Sequence, residues 1–263
     1  MNQIRLLNIK IDNLSMSELL ERLSPDCGGI VLTPNVDHLM KLQNDDQFYE
    51  IYQAAQYRVC DSQILMYASK FLGTPIGEKI SGSDLFPAFC QKYGKDLNVK
   101  IFLLGGGPNV AQQARENINR RAGRELVVAA HSPSYGFETK EQECQEILEL
   151  INQSGANVLA VGLGAPKQEK WIFKCKDSLK NIRVFLAVGA TLNFEAGVYS
   201  RAPKWMSELG VEWLFRLSCE PRRLWRRYLV EGLPFFKLVV QQKLNCYQDP
   251  FASKNLLISQ NKL

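Results

Sequence analysis

Short apolar runs alternate with helical patterns through most of the chain. The apolar runs lie at 29–35, 57–61, 100–106, 126–133, 157–166 and 184–194. The first three runs are followed by helical patterns at 37–55, at 62–72 and at 108–122. After the fourth run, a helix is predicted to begin at a capping box formed by Thr139 and Gln142, and after the fifth a helix is predicted to begin at about Lys167. Continuous apolar strands separated by helices are typical of a parallel sheet covered on both faces. The pattern therefore predicts an α/β fold with a Rossmann-like, largely parallel sheet and helices on both faces.

The pattern changes after Gly197. Two helical stretches, at about 202–218 and 221–244, follow there without another strand. We expect them to form a C-terminal helical appendage at 198–245, attached to an α/β catalytic core that comprises residues 1–197 and folds without the rest. The last residues, 246–263, show little periodicity and are predicted to form a flexible tail.

Basic charge is concentrated in one part of this appendage. The net charge of the 263 residues is +5, and residues 213–230 combine five arginines with a single acidic residue, Glu220. The arginines are Arg216, Arg222, Arg223, Arg226 and Arg227. A nucleic-acid-binding domain spreads such charge over a face, so we expect no nucleic acid partner. A diphosphate, an anionic membrane or plain solvent around an ordinary basic face each suits this segment.

The cysteines and the apolar segments indicate a cytoplasmic protein. The seven cysteines include no C-x-x-C pair, which is typical of reduced thiols. The N-terminus lacks the apolar stretch of a secretory signal, and no segment reaches the roughly 20 apolar residues that span a bilayer. The most apolar segment, residues 229–240, is interrupted by Glu231, Pro234 and Lys237, so we expect it to lie on a membrane without crossing it.

Polar residues and glycines follow the ends of several predicted strands. Because ligands of parallel α/β sheets bind at the carboxyl ends of the strands, these residues are candidates for a site. They are Thr33, Asn35, Asp61, Gly105, Gly106, Gly107 and Gln168. Asp61 is either a helix N-cap or a general base. The glycines are either a phosphate-binding turn or simply tight turns between a strand and a helix.

Several familiar chemistries lack their motifs in this sequence. The glycine loops fit neither G-x-G-x-x-G nor a P-loop, and G-x-S-x-G and H-E-x-x-H are absent. The two histidines, His38 and His131, lie far apart and are predicted to be structural or exposed. No D-x-D is present to hold a metal ion on a diphosphate. We therefore expect neither a metal nor a cofactor.

Taken together, the motifs resemble the WecG/TagA/CpsF glycosyltransferase family over about residues 5–240. The similar segments are TPNVDHL (33–39), CDS (60–62), ISGSDL (80–85), FLLGGGPNV (102–110), VGLGAPKQEKWI (161–172) and the long segment 188–229. The blocks GAPKQEKW and EPRRLWRRYL are the most specific. This sequence departs from the family pattern at Ser62, where glycine is common, and at Asn193, where aspartate is common.

The resemblance implies an activity and a membrane location. Members transfer a sugar, typically N-acetylmannosamine or its uronic acid, from a UDP-sugar to a polyprenyl-diphosphate-linked acceptor, with inversion, in surface polysaccharide biosynthesis. It implies a peripheral enzyme on the inner face of the cell membrane. Another UDP-hexose as donor is the first alternative, and a non-catalytic nucleotide- or polyanion-binding module is a second. The oligomeric state is left open.

The resemblance also implies roles for individual residues. Asp61 corresponds to the catalytic base, and three residues to the pocket of the donor sugar: Thr33, Asn35 and Gln168. Nucleotide and phosphate binding is assigned to Gly105, Gly106, Gly107, Asn193, Arg216, Arg223 and Arg226. Since guanidinium groups match phosphate oxygens and stay charged, we expect the arginines to replace a metal ion in stabilising the leaving diphosphate. Arg222 and Arg227 are expected to face anionic lipids.

Overall fold

A six-stranded parallel sheet organises the structure. The computed structural model describes residues 2–24, 27–203, 205–206, 209–219, 221–226 and 230–252, apart from the side chains of Arg216 and Arg223. The sheet has the strand order β4-β3-β8-β7-β5-β6, and β1 and β2 form a separate antiparallel hairpin. The strands are β1 (Gln3–Leu6), β2 (Ile9–Asp12), β3 (Gly29–Leu32), β4 (Tyr57–Arg58), β5 (Ile101–Gly105), β6 (Val127–His131), β7 (Val158–Gly162) and β8 (Val184–Ala187). The predicted α/β fold is confirmed.

Helices flank the sheet and follow it along the chain. In the described residues they are α1 (Met16–Arg22), α2 (Val36–Lys41), α3 (Asp46–Ala54), α4 (Gln63–Leu72), α5 (Gly82–Tyr93), α6 (Val110–Ala122), α7 (Glu141–Gln153), α8 (Lys167–Cys175), α9 (Thr191–Glu195), α10 (Glu212–Cys219), α11 (Pro221–Arg226) and α12 (Pro234–Lys243). Short 3₁₀ helices lie at Phe137–Thr139 and Lys176–Ser178. The predicted C-terminal helices are present, and Pro221 begins a helix separate from α10.

Two helix predictions need correction. The single helix expected at 37–55 is two helices, because Asp45 accepts a hydrogen bond from the Phe48 N–H (3.0 Å) and so begins α3 anew. The capping box expected at Thr139 is wrong, since α7 begins at Glu141 after Lys140. The Thr139 hydroxyl instead donates to the Gly136 carbonyl (2.8 Å) within the preceding 3₁₀ turn.

The strands alternate between two hydrophobic layers. Along β5, Phe102 and Leu104 pack into the layer shared with α3, α4 and α8, while Ile101 and Leu103 pack into the layer with α1, α5 and α6. The strands β3, β7 and β8 alternate in the same way. Because both faces are buried, polar side chains that could bind a ligand are displaced to the strand ends.

The N-terminal hairpin, which the sequence pattern did not indicate, packs beside β4. Its alternating side chains Ile9 and Ile11 are buried in the first layer. The buried Asp12 carboxylate accepts a hydrogen bond from the Arg58 N–H (2.8 Å) and lies 3.4 Å from the Arg58 guanidinium. This contact fixes the hairpin to the edge strand of the sheet.

The last helix, α12, belongs to the hydrophobic core of the sheet. Phe235 and Val239 are buried in the layer that α3, α4 and α8 share. Gln242 accepts from the Leu7 N–H (2.8 Å) and donates to the Arg5 carbonyl (3.2 Å). The boundary predicted at 197 therefore marks a change in the sequence pattern, but the hydrophobic core contains side chains from both sides of this boundary.

Part of the predicted tail is also packed on the core. The Tyr247 hydroxyl donates to Gln43 Oε1 (2.7 Å), and the rings of Phe251 and Tyr49 lie 4.8 Å apart between centroids. Residues 246–252 thus extend the folded region, and the rest of the predicted tail, 253–263, lies outside the described residues.

We predict that α12 contributes strongly to stability through one ring. Phe235→Ala should lower the free energy of unfolding by about 3–5 kcal/mol, because it leaves a cavity at a fully buried position. Chemical denaturation measures the change. The neighbouring Phe236→Ala is the matched control and should cost less than about 1.5 kcal/mol, since Phe236 is 53% exposed. Equal losses for the two variants would contradict the assignment of α12 to the core.

Candidate active site

A cavity of about 580 Å³ lies at the carboxyl ends of the parallel strands. Loops that follow β3, β5, β6, β7 and β8 contribute to its wall, together with residues before α4, at the start of α5 and in α11. Seven residues predicted from the sequence line it: Thr33, Asn35, Asp61, Gly106, Gly107, Gln168 and Asn193. The structure thus brings residues more than 150 positions apart in the chain to one site.

Asp61 lies in the wall of the cavity and does not cap a helix. Its backbone N–H donates to the Pro34 carbonyl (2.9 Å), which joins the loops after β3 and β4. The next residue, Ser62, caps α4 by accepting from the Leu65 N–H (3.4 Å). Ser62 has an extended backbone with φ of −147°, so the departure from glycine at this position requires no special conformation. The half-buried Asp61 is part of the cavity wall.

Thr33 and Asn35 extend the polar wall beside Asp61. Thr33 is buried, and Asn35 begins α2 as its N-cap, where Oδ1 accepts from the His38 N–H (3.2 Å). The Asn35 Nδ2 group has no hydrogen-bond partner among the described residues. An uncharged hydroxyl and an amide donor suit the hydroxyl groups of a sugar.

Gln168 joins two loops of the cavity. Its Oε1 accepts from the Gly164 N–H (3.2 Å) after β7 and from the Gly189 N–H (3.1 Å) after β8. Its Nε2 donates to Glu169 Oε1 (2.8 Å). The side chain predicted to contact a sugar is therefore also a structural bridge.

The three predicted phosphate-binding glycines have different positions. Gly106 and Gly107 line the cavity just before α6. Gly105 has φ of +127°, and a Cβ atom there would overlap the Gly162 carbonyl oxygen, so this glycine allows the ends of β5 and β7 to approach each other. Gly106 N–H donates to the Gly162 carbonyl (3.2 Å) at this junction.

The helices after Gly197 cover part of the cavity. Leu224 of α11 is 3% exposed and lines the cavity wall. Arg226 is not among the residues that line the cavity; its side chain is 73% exposed and lies 3.4 Å from Glu231. The other two arginines predicted to hold the diphosphate, Arg216 and Arg223, lie in α10 and α11, and their side chains are outside the described part of the structure.

An ion pair fixes the start of the segment that follows Gly197 beside the cavity. The Arg201 guanidinium pairs with Asp84 and donates to Ser83 Oγ (3.2 Å), and Ser83 lines the cavity. Burial raises the pKa of Asp84, but hydrogen bonds from Arg201 and Ser81 outweigh it, so the net pKa is below the usual range. The segment is thus anchored by Arg201 at one end and by α12 at the other.

Sequence reasoning missed the loop after β6 as a part of the site. Tyr135 and Glu138 line the cavity, and Tyr135 is 95% exposed. Lys167 lies 2.6 Å from Glu138 and 4.8 Å from the centre of the Tyr135 ring. A glycine, a proline and two serines in 132–136 are the sequence signal of this loop, and such residues mark any turn. His38, predicted to be structural or exposed, is buried, and it also lines the cavity.

The described part of the chain holds no group of three or more His, Cys, Asp or Glu side chains placed to bind a metal ion. Within the same residues, every helix is too short or too polar to cross a membrane.

A family comparison matches nearly the whole chain. The sequence model of the glycosyl transferase WecG/TagA/CpsF family matches residues 4–249. The match includes the N-terminal hairpin, the sheet and the helices after Gly197, and the resemblance seen in the sequence is confirmed over this range.

Glu169 is a buried carboxyl group directly behind the cavity wall. It is fully buried at the start of α8, and burial raises its pKa to about 7. The hydrogen bond from Gln168 and the charge of Lys41 lower this pKa, and the charge of Asp37 raises it. Burial raises the pKa of the Tyr52 hydroxyl in α3, and the charge of the nearby Glu169 raises it further. Glu169 is therefore partly protonated near neutral pH.

We predict that Glu169 makes stability depend on pH. Between pH 4.5 and 7 the folded protein keeps a proton that the unfolded chain releases, so the free energy of unfolding falls as the pH rises through this window. Glu169→Gln cannot ionise, and its stability relative to the parent should increase by up to about 3 kcal/mol between pH 4.5 and 8. Denaturation in urea at both pH values measures this difference.

The control for this measurement is Glu146→Gln, at an exposed position on α7, which should leave the pH dependence unchanged. The same stability difference between Glu169→Gln and the parent at both pH values would contradict the raised pKa.

Proposed function

We propose, from the premise that the chain belongs to the WecG/TagA/CpsF family of glycosyltransferases, that it transfers N-acetylmannosamine from UDP to a polyprenyl-diphosphate-linked sugar with inversion. A glycosyltransferase of this family takes a nucleotide-sugar donor and an acceptor in polysaccharide synthesis. The observation that carries the finer proposal is the Asp61 carboxylate in a cavity lined by sugar-binding types of side chain. A related UDP-hexose or its uronic acid is the alternative donor.

Asp61 is the proposed general base. In an inverting transfer the acceptor hydroxyl attacks the anomeric carbon while the bond from that carbon to the UDP oxygen breaks on the opposite face. The base takes the hydroxyl proton as the new glycosidic bond forms. Asp61 suits this role because its position is fixed through the Pro34 contact and its carboxylate lines the cavity. Thr33, Asn35 and Gln168 would orient the donor sugar.

The glycine loop and the arginines are proposed to hold the diphosphate. Gly106 and Gly107 carry no side chain that would keep an anion from the N-terminal end of α6, where helix dipoles favour negative charge. In α11, Arg223 directly precedes the cavity-lining Leu224. Charge that develops on the departing UDP would be stabilised by Arg223 and Arg216 in place of a metal ion.

The exposed side of the C-terminal helices is proposed to dock on the inner face of the cell membrane. Large apolar side chains are exposed in this part of the chain, namely Trp205, Trp225, Leu233, Phe236 and Val240. Arg222 is exposed as well. Each basic residue contributes only about 1 kcal/mol near an anionic surface, so insertion of the apolar side chains would supply much of the affinity.

A transfer assay with purified protein tests the proposed reaction. We expect turnover with UDP-N-acetylmannosamine and a polyprenyl-diphosphate-linked acceptor, measured as UDP release and as a lengthened lipid-linked glycan. Asp61→Asn should lower kcat by about 10²–10⁴, the usual contribution of a positioned base, with the affinity for UDP retained.

Glu146→Gln on α7 serves as the control for charge removal and should keep parental turnover. Near-parental turnover of Asp61→Asn would remove Asp61 from the mechanism. Turnover with another UDP-hexose alone would correct the donor and keep the reaction class.

Arg223 and Arg222 of α11 provide a matched pair of substitutions, because Arg223 is proposed to contact the diphosphate and Arg222 the anionic membrane. Arg223→Ala should lower kcat/KM by about 10²-fold without a membrane present, as expected for loss of one donor to a developing anion. Arg222→Ala should change that value less than threefold and should weaken sedimentation with vesicles that contain anionic lipid. Parental activity should persist in EDTA.

Two outcomes would contradict the arginine proposal. One is a strict requirement for a divalent ion, and the other is an equal effect of the two substitutions on activity in solution.

A further inference from the structure

The buried carboxylate of Glu169 does not line the cavity, but it contacts the side chain of Gln168, which does. Glu169 follows Gln168 in the first turn of α8, and both side chains are almost completely inaccessible to solvent. Glu169 Oε1 accepts from Gln168 Nε2 (2.8 Å). Glu169 Oε2 is buried without a hydrogen-bond partner in the described structure. A desolvated carboxylate with one oxygen unpaired is costly, which makes its presence here informative.

The amide of Gln168 works as a bridge in only one of its two orientations. Its Oε1 receives two backbone N–H groups, from Gly164 and Gly189. Rotation of the amide by 180° would place its NH₂ group against these two donors and leave them without an acceptor. The neighbouring carboxylate accepts a hydrogen bond from Nε2 and would offer nothing to Oε1, so it favours the bridging orientation.

The two glycines that receive this bridge lie in unusual conformations. Gly164 has φ of +80° and Gly189 has φ of +57°, and both line the cavity. Both residues belong to loops that follow adjacent strands, β7 and β8. The Gln168 acceptor thus fixes the separation of these loops at the base of the cavity.

The cation whose charge lowers the Glu169 pKa, Lys41, has other partners. Lys41 Nζ of α2 lies 2.7 Å from Asp37 and donates to the Ala165 carbonyl (3.1 Å), in the same loop as Gly164. Its charge reaches Glu169 only as a longer-range effect on the pKa, alongside the charge of Asp37. The hydrogen bond to Gln168 is therefore the specific contact of Glu169 in the described structure.

We infer that Glu169 is a positioning residue: through the Gln168 amide it sets the conformation of the loops after β7 and β8, and so the shape of the donor pocket. The effect on the donor rests on the proposed function, whereas the effect on the loops does not.

Two variants of similar side-chain length separate positioning from stability. Glu169→Gln keeps an acceptor for Gln168 Nε2, and Glu169→Met fills the same space without one. Since Met removes a buried, partly unpaired carboxylate, Glu169→Met should remain folded at neutral pH. The readout is amide hydrogen exchange of Gly164 and Gly189 in protein labelled with ¹⁵N-glycine.

We expect exchange at Gly164 and Gly189 to be at least tenfold faster in Glu169→Met than in the parent, and within threefold of the parent in Glu169→Gln. Gly123, which ends α6 away from the cavity, is the internal control and should not change. In a Gln168→Ala background, Glu169→Met should add less than a twofold increase, because the two residues act through one bridge.

Kinetics then connect the loops to the donor. Glu169→Met should raise KM for the UDP-sugar about tenfold with a smaller change in kcat, and Glu169→Gln should restore most of this loss. Unchanged glycine exchange in Glu169→Met, or a full additional effect in the Gln168→Ala background, would overturn the inference. Faster glycine exchange in a protein that uses no UDP-sugar would instead refute the proposed function and keep the positioning role.

Discussion

Burial of the parallel strands on both faces is the constraint on which the rest of the structure depends. Strand residues such as Phe102 and Leu103 alternate between two hydrophobic layers, so neither face can hold the polar groups of an active site. Those groups lie where the strands end. Because all six strands are parallel, their carboxyl ends meet at one edge, and Thr33, Asp61 and Gln168 come together there.

The site at this edge of the sheet is built from loops, so its geometry depends on contacts that hold the loops in place. The Asp61 N–H to Pro34 hydrogen bond joins the loops after β3 and β4, the Gln168 amide joins those after β7 and β8, and Arg201 attaches the covering segment to Asp84. The first two contacts use backbone groups or a buried side chain, and the third is a more exposed ion pair. They leave Asp61 on a fixed frame, which suits a base that must meet an acceptor hydroxyl in one geometry.

The sheet and most of the site could be predicted from sequence because both follow from local patterns. Apolar runs marked the strands, and polar residues after them marked Thr33, Asn35, Asp61 and Gln168. The packing of Phe235 and the cover formed by Leu224 could not be predicted, since an apolar helix position does not state what it packs against. Glu169 looked like an ordinary charged helix residue, and only its burial and its contact with Gln168 distinguish it. Arg226 fitted the motif but points to Glu231.

The central claim is that the diphosphate of a UDP-sugar lies between the glycine loop before α6 and the arginines of α10 and α11, with the sugar beside Asp61. A crystal structure of the protein with bound UDP measures this most directly. The account predicts phosphate oxygens within hydrogen-bonding distance of the backbone at 106–107 and of the Arg223 guanidinium. Nucleotide bound outside the cavity, or a diphosphate with both helices distant from it, would contradict the account.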